Sequence, residues 1–159
     1  MPAGADAPTL IDVAYWLLKT EPADYAWDDL VREGTTAWTG VSSAQAHANL
    51  RAMRPGDHAV LYHSGERRAV GVVEVVRAAY PDPTAEEPEL VCVDVRAVAA
   101  LPAPVPLEAL KLEPAFDGSA LLRQGRLSVV PLSPAEWRNL GELAEIIGKT
   151  GGLHQPQAF

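Results

Sequence analysis

The sequence predicts an α+β domain, a mixed β-barrel of five or more short strands with short flanking helices. Two apolar runs at residues 58–62 and 70–76 enclose a polar segment with Gly65, a pattern typical of a β-hairpin. At least three further strand-like runs alternate with turns and small helices rather than with regular crossover helices, which favours a barrel over a doubly wound parallel sheet. The length of 159 residues suits one domain with a real core.

The second run of the hairpin carries valine at positions 70, 72, 73, 75 and 76, so both of its faces are apolar. Such a strand is expected in the middle of a sheet. Gly71 interrupts it, and a glycine there either lets a neighbouring backbone or a ligand come close or marks a bulge or bend. The sequence alone leaves both interpretations open.

Composition and charge narrow the class of protein. With 48% hydrophobic and 21% charged residues, and no apolar run of about 20 residues, the chain has no predicted membrane span. A formal charge of −8 argues against a protein that grips a long phosphate backbone, but not against one that reads a single base by stacking and edge hydrogen bonds. The first residues lack a signal sequence and the single cysteine, Cys92, lies in an apolar strand, so we expect a cytoplasmic, reduced protein. We also expect a monomer.

The remaining elements follow from local patterns. Strands are predicted at 14–19, 90–98 and 127–131, an extended link with Trp38 at 35–41, and helices near 27–31 and 44–53, the latter capped by Ser42 or Ser43. Ser133, Pro134 and Glu136 form a strong helix start, and Gly148 is expected to end that helix. Residues 101–106 look too rich in proline for regular structure. We therefore expect a disordered lead-in at 1–12, a domain at 13–147 and a mobile tail at 148–159.

Several common chemistries are excluded. The segment Gly148-Lys149-Thr150 resembles the end of a phosphate-binding loop, but position 143 is leucine where that motif needs glycine. The histidines at 47, 58, 63 and 154 do not have zinc-ligand spacing. No metal and no cofactor are implied, and no catalytic residue is predicted.

An ordered set of motifs resembles the EVE domain family. It comprises YWLLKTEP at 15–22, WDDL at 27–30, Trp38-x-Gly40-Val41, YHS at 62–64, GVVEV at 71–75, YPDPT at 80–84 and LLRxGRLSV at 121–129, and it covers about residues 14–143. The resemblance implies a PUA-like barrel related in shape to YTH domains. It also implies a non-catalytic reader that accepts a modified base, such as a modified cytosine, in DNA or RNA.

The resemblance also suggests which residues form the site. Trp38 is expected to be the wall on which a base stacks, because every base has a π-face. Trp16 and Trp27 either face the ligand or belong to the core, and Gln45 and Asn49 share a polar helix face that is either solvent-exposed or ligand-facing. The other polar contacts implied are Lys19, Tyr62, His63, Ser64 and Ser42, and the phosphate contacts are Arg51, Arg123 and Arg126.

Two other functions stay open at this point. The same pocket could serve a sensor or an enzyme for a small nucleoside-like ligand, and a large exposed apolar patch would instead indicate a protein-interaction module. The segment Ser42-Ser43-Ala44 stands where many relatives have Arg-Asn followed by an aromatic residue or proline. Because the arginine and the bulk are missing, we expect weak binding of methylated or hydroxymethylated cytosine.

Overall fold

The computed structural model describes residues 13–158, with side chains described for residues 13–150. The predicted lead-in at 1–12 lies outside the described residues. The strands are β1 (Tyr15–Thr20), β2 (Thr35–Trp38), β3 (His58–His63), β4 (Arg68–Pro81), β5 (Val91–Pro106) and β6 (Val129–Leu132). The helices are α1 (Trp27–Glu33), α2 (Ala44–Ala52), α3 (Leu107–Leu110), α4 (Ala120–Arg123) and α5 (Pro134–Ala158), with a 3₁₀ turn at Pro114–Phe116.

The six strands form one mixed sheet in the order β2-β5-β4-β3-β1-β6. Only the β1–β3 pair is parallel in this ladder, and the other pairs are antiparallel. The predicted hairpin is β3–β4, and the valine-rich strand β4 lies between β5 and β3, as its two apolar faces required. The α+β class is therefore confirmed, with β2 and β6 at the two ends of the described ladder.

Gly71 lies at a bulge, which was one of the two interpretations, and the close approach there is made by a side chain instead of a backbone or a ligand. A Cβ at this position would lie 2.4 Å from an atom of the Trp27 ring, so the group that approaches the backbone is a side chain of α1. The β4–β5 register also shifts between Ala69 and Gly71. The glycine is needed because the indole packs directly on the strand.

The proline-rich stretch at 101–106 is part of β5, so the prediction of irregular structure there was wrong. In this region Ala69 pairs with Val105 and Gly71 pairs with Ala100. One residue of β4 therefore lies opposite four residues of β5, 101–104. The intervening residues, including Pro102 and Pro104, bulge out of the ladder. Proline is tolerated there because a bulge needs no ladder N–H from it.

Helix α5 begins as predicted but does not end at Gly148. The Glu136 backbone N–H donates to Ser133 Oγ at 3.1 Å, and the Ser133 N–H donates to Glu136 Oε1 at 2.7 Å, which completes a capping box. The helix continues to Ala158. A Cβ at Gly148 would lie 3.2 Å from Pro102, so this glycine permits close packing on β5 instead of ending the helix. The domain boundary at 147 and the mobility of the tail stay predictions.

The centre of the core lies under β1 and β3, where Leu17, Leu18 and Leu61 have no exposed surface. The loop before β3 is fastened to β1 by Asp57, which is 2% exposed. Its carboxylate accepts hydrogen bonds from the backbone N–H groups of Ala14 and Arg54 and from the Trp16 indole, at 2.9–3.1 Å. None of the described helices combines the length and apolar character needed to cross a membrane.

Candidate functional site

The predicted polar contacts gather at the carboxyl end of β1, but they divide between the two faces of the sheet. Lys19 is in register with Tyr62 on the parallel strand β3, and Thr20 is in register with His63. Successive residues of a strand point to opposite faces. The first pair therefore lies on one face and the second pair on the other, and each face has its own cleft.

The first cleft, here called the Trp38 cleft, has a volume of about 270 Å³. Its aromatic part is an edge-to-face pair of Tyr25 and Trp38, with ring centroids 6.1 Å apart at an interplanar angle of 80°. This geometry is the one that favours aromatic contact beyond simple area burial. The lining residues are Thr20, Tyr25, Glu33, Thr36, Ala37, Trp38 and Thr39.

Two hydrogen bonds fix the polar rim of the Trp38 cleft. Thr20 Oγ1 donates to the Tyr25 backbone carbonyl at 2.8 Å, and the Tyr25 hydroxyl donates to Glu33 Oε1 at 2.6 Å. Burial, followed by the hydrogen bond to Glu33, raises the pKa of Tyr25 to about 12. Tyr25 therefore stays a neutral donor, and Glu33 presents a second carboxylate oxygen at the rim.

Trp38 belongs to the core as well as to the cleft. It is only 7% exposed and is part of the hydrophobic core cluster, while its expected role as a stacking wall stays a prediction. Trp16 is also 7% exposed, but its indole N–H donates to Asp57 Oδ2 at 3.1 Å. Among the described residues, none accepts a hydrogen bond from the Trp38 indole N–H. The only fully buried side-chain N or O atom without a hydrogen-bond partner in the described part of the chain is Asn139 Oδ1, so the Trp38 nitrogen is not fully buried. The Trp38 N–H therefore keeps some contact with solvent, unlike the N–H of Trp16.

The backbone beside Trp38 is pinned by a carboxylate that the sequence analysis did not single out. Gly40 has φ of +78° and its N–H donates to Asp82 Oδ2 at 2.9 Å. The backbone N–H and hydroxyl of Thr84 donate to Asp82 Oδ1. Burial alone would raise the pKa of Asp82, but the hydrogen bonds from Thr84 and Gly40 outweigh it and lower the pKa. The signal was present in the sequence as an Asp two residues before a Thr, a common side-chain-to-backbone turn.

The second cleft, here called the Lys19 cleft, has a volume of about 400 Å³ on the opposite face of β1. The Lys19 ammonium donates to the Gly125 carbonyl at 2.8 Å and lies 5.7 Å from the Tyr62 ring centre. Burial lowers the pKa of Lys19 and raises the pKa of Tyr62. The lining residues are Lys19, Tyr62, Ser64, Arg67, Leu107, Lys111, Leu121, Leu122 and Gly125. Three predicted contacts thus meet, but not beside Trp38.

His63 and Trp27 fasten α1 to the hairpin. The Trp27 backbone N–H donates to His63 Nε2 at 3.1 Å, and His63 Nδ1–H donates to Glu66 Oε1 at 2.8 Å. Both ring nitrogens therefore have protein partners, which sets the tautomer. The Trp27 ring packs on Gly71. His63 and Trp27 therefore stabilise the packing of α1 on the hairpin. Trp16 likewise stabilises the fold, through its hydrogen bond to Asp57.

The remaining predicted residues line neither cleft. Asn49 Nδ2 donates to the Val129 carbonyl at 2.7 Å, which ties α2 to β6, and Gln45 is exposed beside it. Ser43, not Ser42, caps α2 by accepting from the Ala46 N–H at 3.1 Å. The three predicted phosphate contacts are exposed: Arg51 donates to the Glu89 carbonyl, Arg123 donates to the Gly118 carbonyl, and Arg126 lies next to Gly125 in the chain.

Comparisons with known proteins place this architecture in a class and a family. The fold is similar to that of a YTH domain: the YTH domain of MRB1 from Zygosaccharomyces rouxii, solved with N6-methyladenosine RNA, superposes with a TM-score of 0.53 at 15% identity, over 84% of this chain and 87% of that one. That identity shows the fold alone. The model of the EVE domain matches residues 14–143, so the chain belongs to the EVE domain family.

Three relatives show how far this similarity extends. Thymocyte nuclear protein 1 from Gallus gallus is 33% identical, and the match covers 80% of this chain and 67% of the relative. The structure of Rpa0253 from Rhodopseudomonas palustris has 43% identity and a TM-score of 0.79, covering 84% and 94% of the two chains. Human THYN1, solved in complex with DNA containing 5-methylcytosine, has 30% identity and a TM-score of 0.75, covering 83% and 98%.

Proposed function

We propose that this protein is a non-catalytic reader that binds a modified nucleobase, of the modified-cytosine kind, in DNA or RNA through the Trp38 cleft. The observation that carries the proposal is the aromatic pair of Tyr25 and Trp38 in the cleft lining, where the Trp38 indole N–H has no acceptor among the described residues. The complex of human THYN1 with DNA containing 5-methylcytosine supports it, because that protein shares 30% identity with this chain.

The size and the walls of the cleft suit one base. Its volume of about 270 Å³ is just below the roughly 300–1,000 Å³ typical of pockets that hold drug-sized ligands. A flipped base would stack on an aromatic wall, an interaction worth roughly 1–3 kcal/mol per base. The Trp38 N–H would donate to a ring nitrogen or carbonyl of that base.

Glu33 gives the cleft a preference between bases. One of its oxygens accepts from Tyr25, and the other is an acceptor at the rim. A carboxylate accepts well from the N4 amino group of cytosine, whereas thymine presents the O4 acceptor at the same position. Because 5-methylcytosine and thymine carry the same methyl group, Glu33 would separate them by the amino group alone.

The test uses oligonucleotides that differ at one position, which holds 5-methylcytosine, 5-hydroxymethylcytosine, cytosine or thymine, in DNA and RNA forms. Anisotropy titrations are expected to show at least tenfold tighter binding of a modified cytosine than of thymine, about 1.4 kcal/mol. Glu33→Gln should reduce that preference, while Glu142→Gln, on the exposed surface of α5, should not. Equal affinity for all four oligonucleotides would refute the reader function. Mass spectrometry of the recovered oligonucleotide should show no change of the base.

The segment Ser42-Ser43-Ala44 remains a place where affinity can be raised. Ser42 is exposed and lies two residues after Gly40, whose backbone is held by Asp82. We expect Ser42→Arg to tighten binding about tenfold by adding a cation near the cleft, about 1.4 kcal/mol. Ser43 is kept because it caps α2. Unchanged affinity in anisotropy titrations would show that this segment does not reach the ligand.

A further inference from the structure

The Lys19 cleft concentrates positive charge in an acidic protein. Its described lining includes Lys19, Arg67 and Lys111 and no carboxylate, although the chain has a formal net charge of −8. A cleft lined by charge of one sign, with apolar walls, focuses its electric field and attracts counterions. Here the apolar walls are Leu107, Leu121 and Leu122.

Two of the three cations are without a carboxylate partner in the described part of the chain. Among the residues that the structure describes, no carboxylate forms an ion pair with Lys19 or Arg67. The Lys19 ammonium uses one of its three donors on the Gly125 carbonyl, at 2.8 Å, and keeps two. Because Lys19 is partly withdrawn from water, an anion in the cleft would bind it more strongly than it would bind a surface lysine.

Arg67 is held at the cleft by its backbone. It has φ of +57°, a left-handed conformation that is uncommon for a residue other than glycine. Its carbonyl accepts a hydrogen bond from the Leu107 N–H at 2.9 Å, which ties the tip of the hairpin to the start of α3. The fold therefore keeps an arginine in a costly turn conformation next to the cleft.

Lys111 is the third cation, and its partner is easily displaced. It lies 3.2 Å from Glu108, and the two side chains are 46% and 75% exposed. Exposed ion pairs of this kind contribute little to stability, so a multiply charged anion would compete with Glu108. The Tyr62 hydroxyl adds a neutral donor to the same lining.

We propose that the Lys19 cleft is a phosphate-binding site. The phosphate is either that of a nucleic-acid backbone or that of a phosphorylated small molecule, since both present the same charge and acceptors. The site does not require the Trp38 cleft to bind a base. If both sites are used, they lie on opposite faces of β1, because Lys19 and Thr20 are consecutive residues of that strand, with Cα atoms about 3.8 Å apart, and line one cleft each.

The experiment compares two charge-matched variants of the full chain by NMR titration. Arg67→Gln with Lys111→Gln changes the cleft, and Arg138→Gln with Lys149→Gln removes the same charge from exposed positions of α5. Each protein is titrated with inorganic phosphate, with cytidine monophosphate and with an unmodified single-stranded DNA. We expect amide shifts near residues 62–67, 107–111 and 121–125 in the wild type, and at least tenfold weaker binding in the cleft variant only.

The three titrants identify the source of the phosphate. Tighter binding of DNA than of either small anion would support the backbone, and tighter binding of the monophosphate would support a small molecule. Shifts absent from the cleft, or an equal loss of affinity in both variants, would overturn the proposal. The proposed base reader is tested separately, because the cleft variant should weaken modified and unmodified oligonucleotides by the same factor. It should also make the log–log salt slope for single strands shallower by about 0.7 for each phosphate that the variant no longer neutralises.

Discussion

Trp16 and Trp38 are equally buried, yet they have different chemistry. Each is 7% exposed, but the Trp16 N–H is bound to Asp57, whereas no described residue accepts from the Trp38 N–H. Buried indole N–H groups normally have a partner. The comparison shows that hydrogen-bond satisfaction, and not burial, separates a structural tryptophan from one that a ligand can reach.

The same contrast extends to the surroundings of the two residues. Asp57 gathers three donors at the start of β1 and is 2% exposed, so that end of the strand is closed. At the other end, Thr20 and Lys19 line open clefts on opposite faces. One strand thus carries a rigid anchor and, about five residues later, the two candidate binding surfaces, which is the support that a site needs for precise geometry.

The largest effect is expected at the closed end. Asp57→Ala leaves three donors without this acceptor, one buried and two part-buried, and a buried donor left unpaired costs about 1–3 kcal/mol, so we expect a loss of about 3–5 kcal/mol in the free energy of unfolding. Urea denaturation measures it. Asp24→Ala, at an exposed position, is the matched control. A loss below about 1 kcal/mol would show that Asp57 does not anchor the fold in the way its three hydrogen bonds indicate.

Gly71→Ala tests whether Trp27 is structural. The new methyl group would lie 2.4 Å from the Trp27 ring, so the ring must move, and overpacking of this kind costs about 1–3 kcal/mol. In a Trp27→Leu background the same change should cost much less, which a double-mutant cycle measures. Additive costs would mean that the indole does not rest on Gly71. Base affinity should change little in either background at temperatures where the protein is folded.

A matched pair of conservative variants tests the tryptophan comparison directly. Trp16→Phe removes a donor from Asp57 and should cost about 1–3 kcal/mol of stability without changing base affinity. Trp38→Phe should weaken base binding about tenfold, about 1.4 kcal/mol, with a smaller loss of stability. Thermal melting and anisotropy titrations of both variants give the four values. The reverse assignment of effects would refute the distinction. Trp38→Ala is less useful, because emptying a core site costs about 3–5 kcal/mol.

Local features of the fold were predictable from the sequence because their causes are local. The hairpin, the central position of β4 and the capping box of Ser133 and Glu136 each follow from a few adjacent residues. The family and the α+β class were also predicted correctly. The sequence analysis missed the proline-containing part of β5. Prolines are tolerated in this strand because it bulges opposite β4, and the bulge depends on the pairing of two distant segments.

The grouping of the site residues was harder to predict, for a physical reason. The sequence places Lys19 and Thr20 at the end of a strand, but it does not show which residues share a face of the sheet with each of them. That depends on the register with β3, whose residues follow about 40 positions later. The Trp16–Asp57 bond likewise spans 41 residues. Tyr25, Glu33 and Lys111 carried no distinctive pattern, so the sequence analysis missed them, although the structure places them in the two clefts.

The smallest expected effect is the pH dependence that Tyr25 gives to the open end of β1. Its pKa in the folded protein is about 12, raised first by burial and then by Glu33, against an ordinary value of about 10. Folding therefore favours the neutral hydroxyl, and this stabilisation is complete below pH 10 and is lost as the pH rises through 12. Tyr25→Phe has no such group, so the stability difference between the two proteins should shrink over that range. The tyrosinate absorbance difference between them should have a midpoint near 12, and a midpoint near 10 would mean that neither the burial of Tyr25 nor its bond to Glu33 persists in solution.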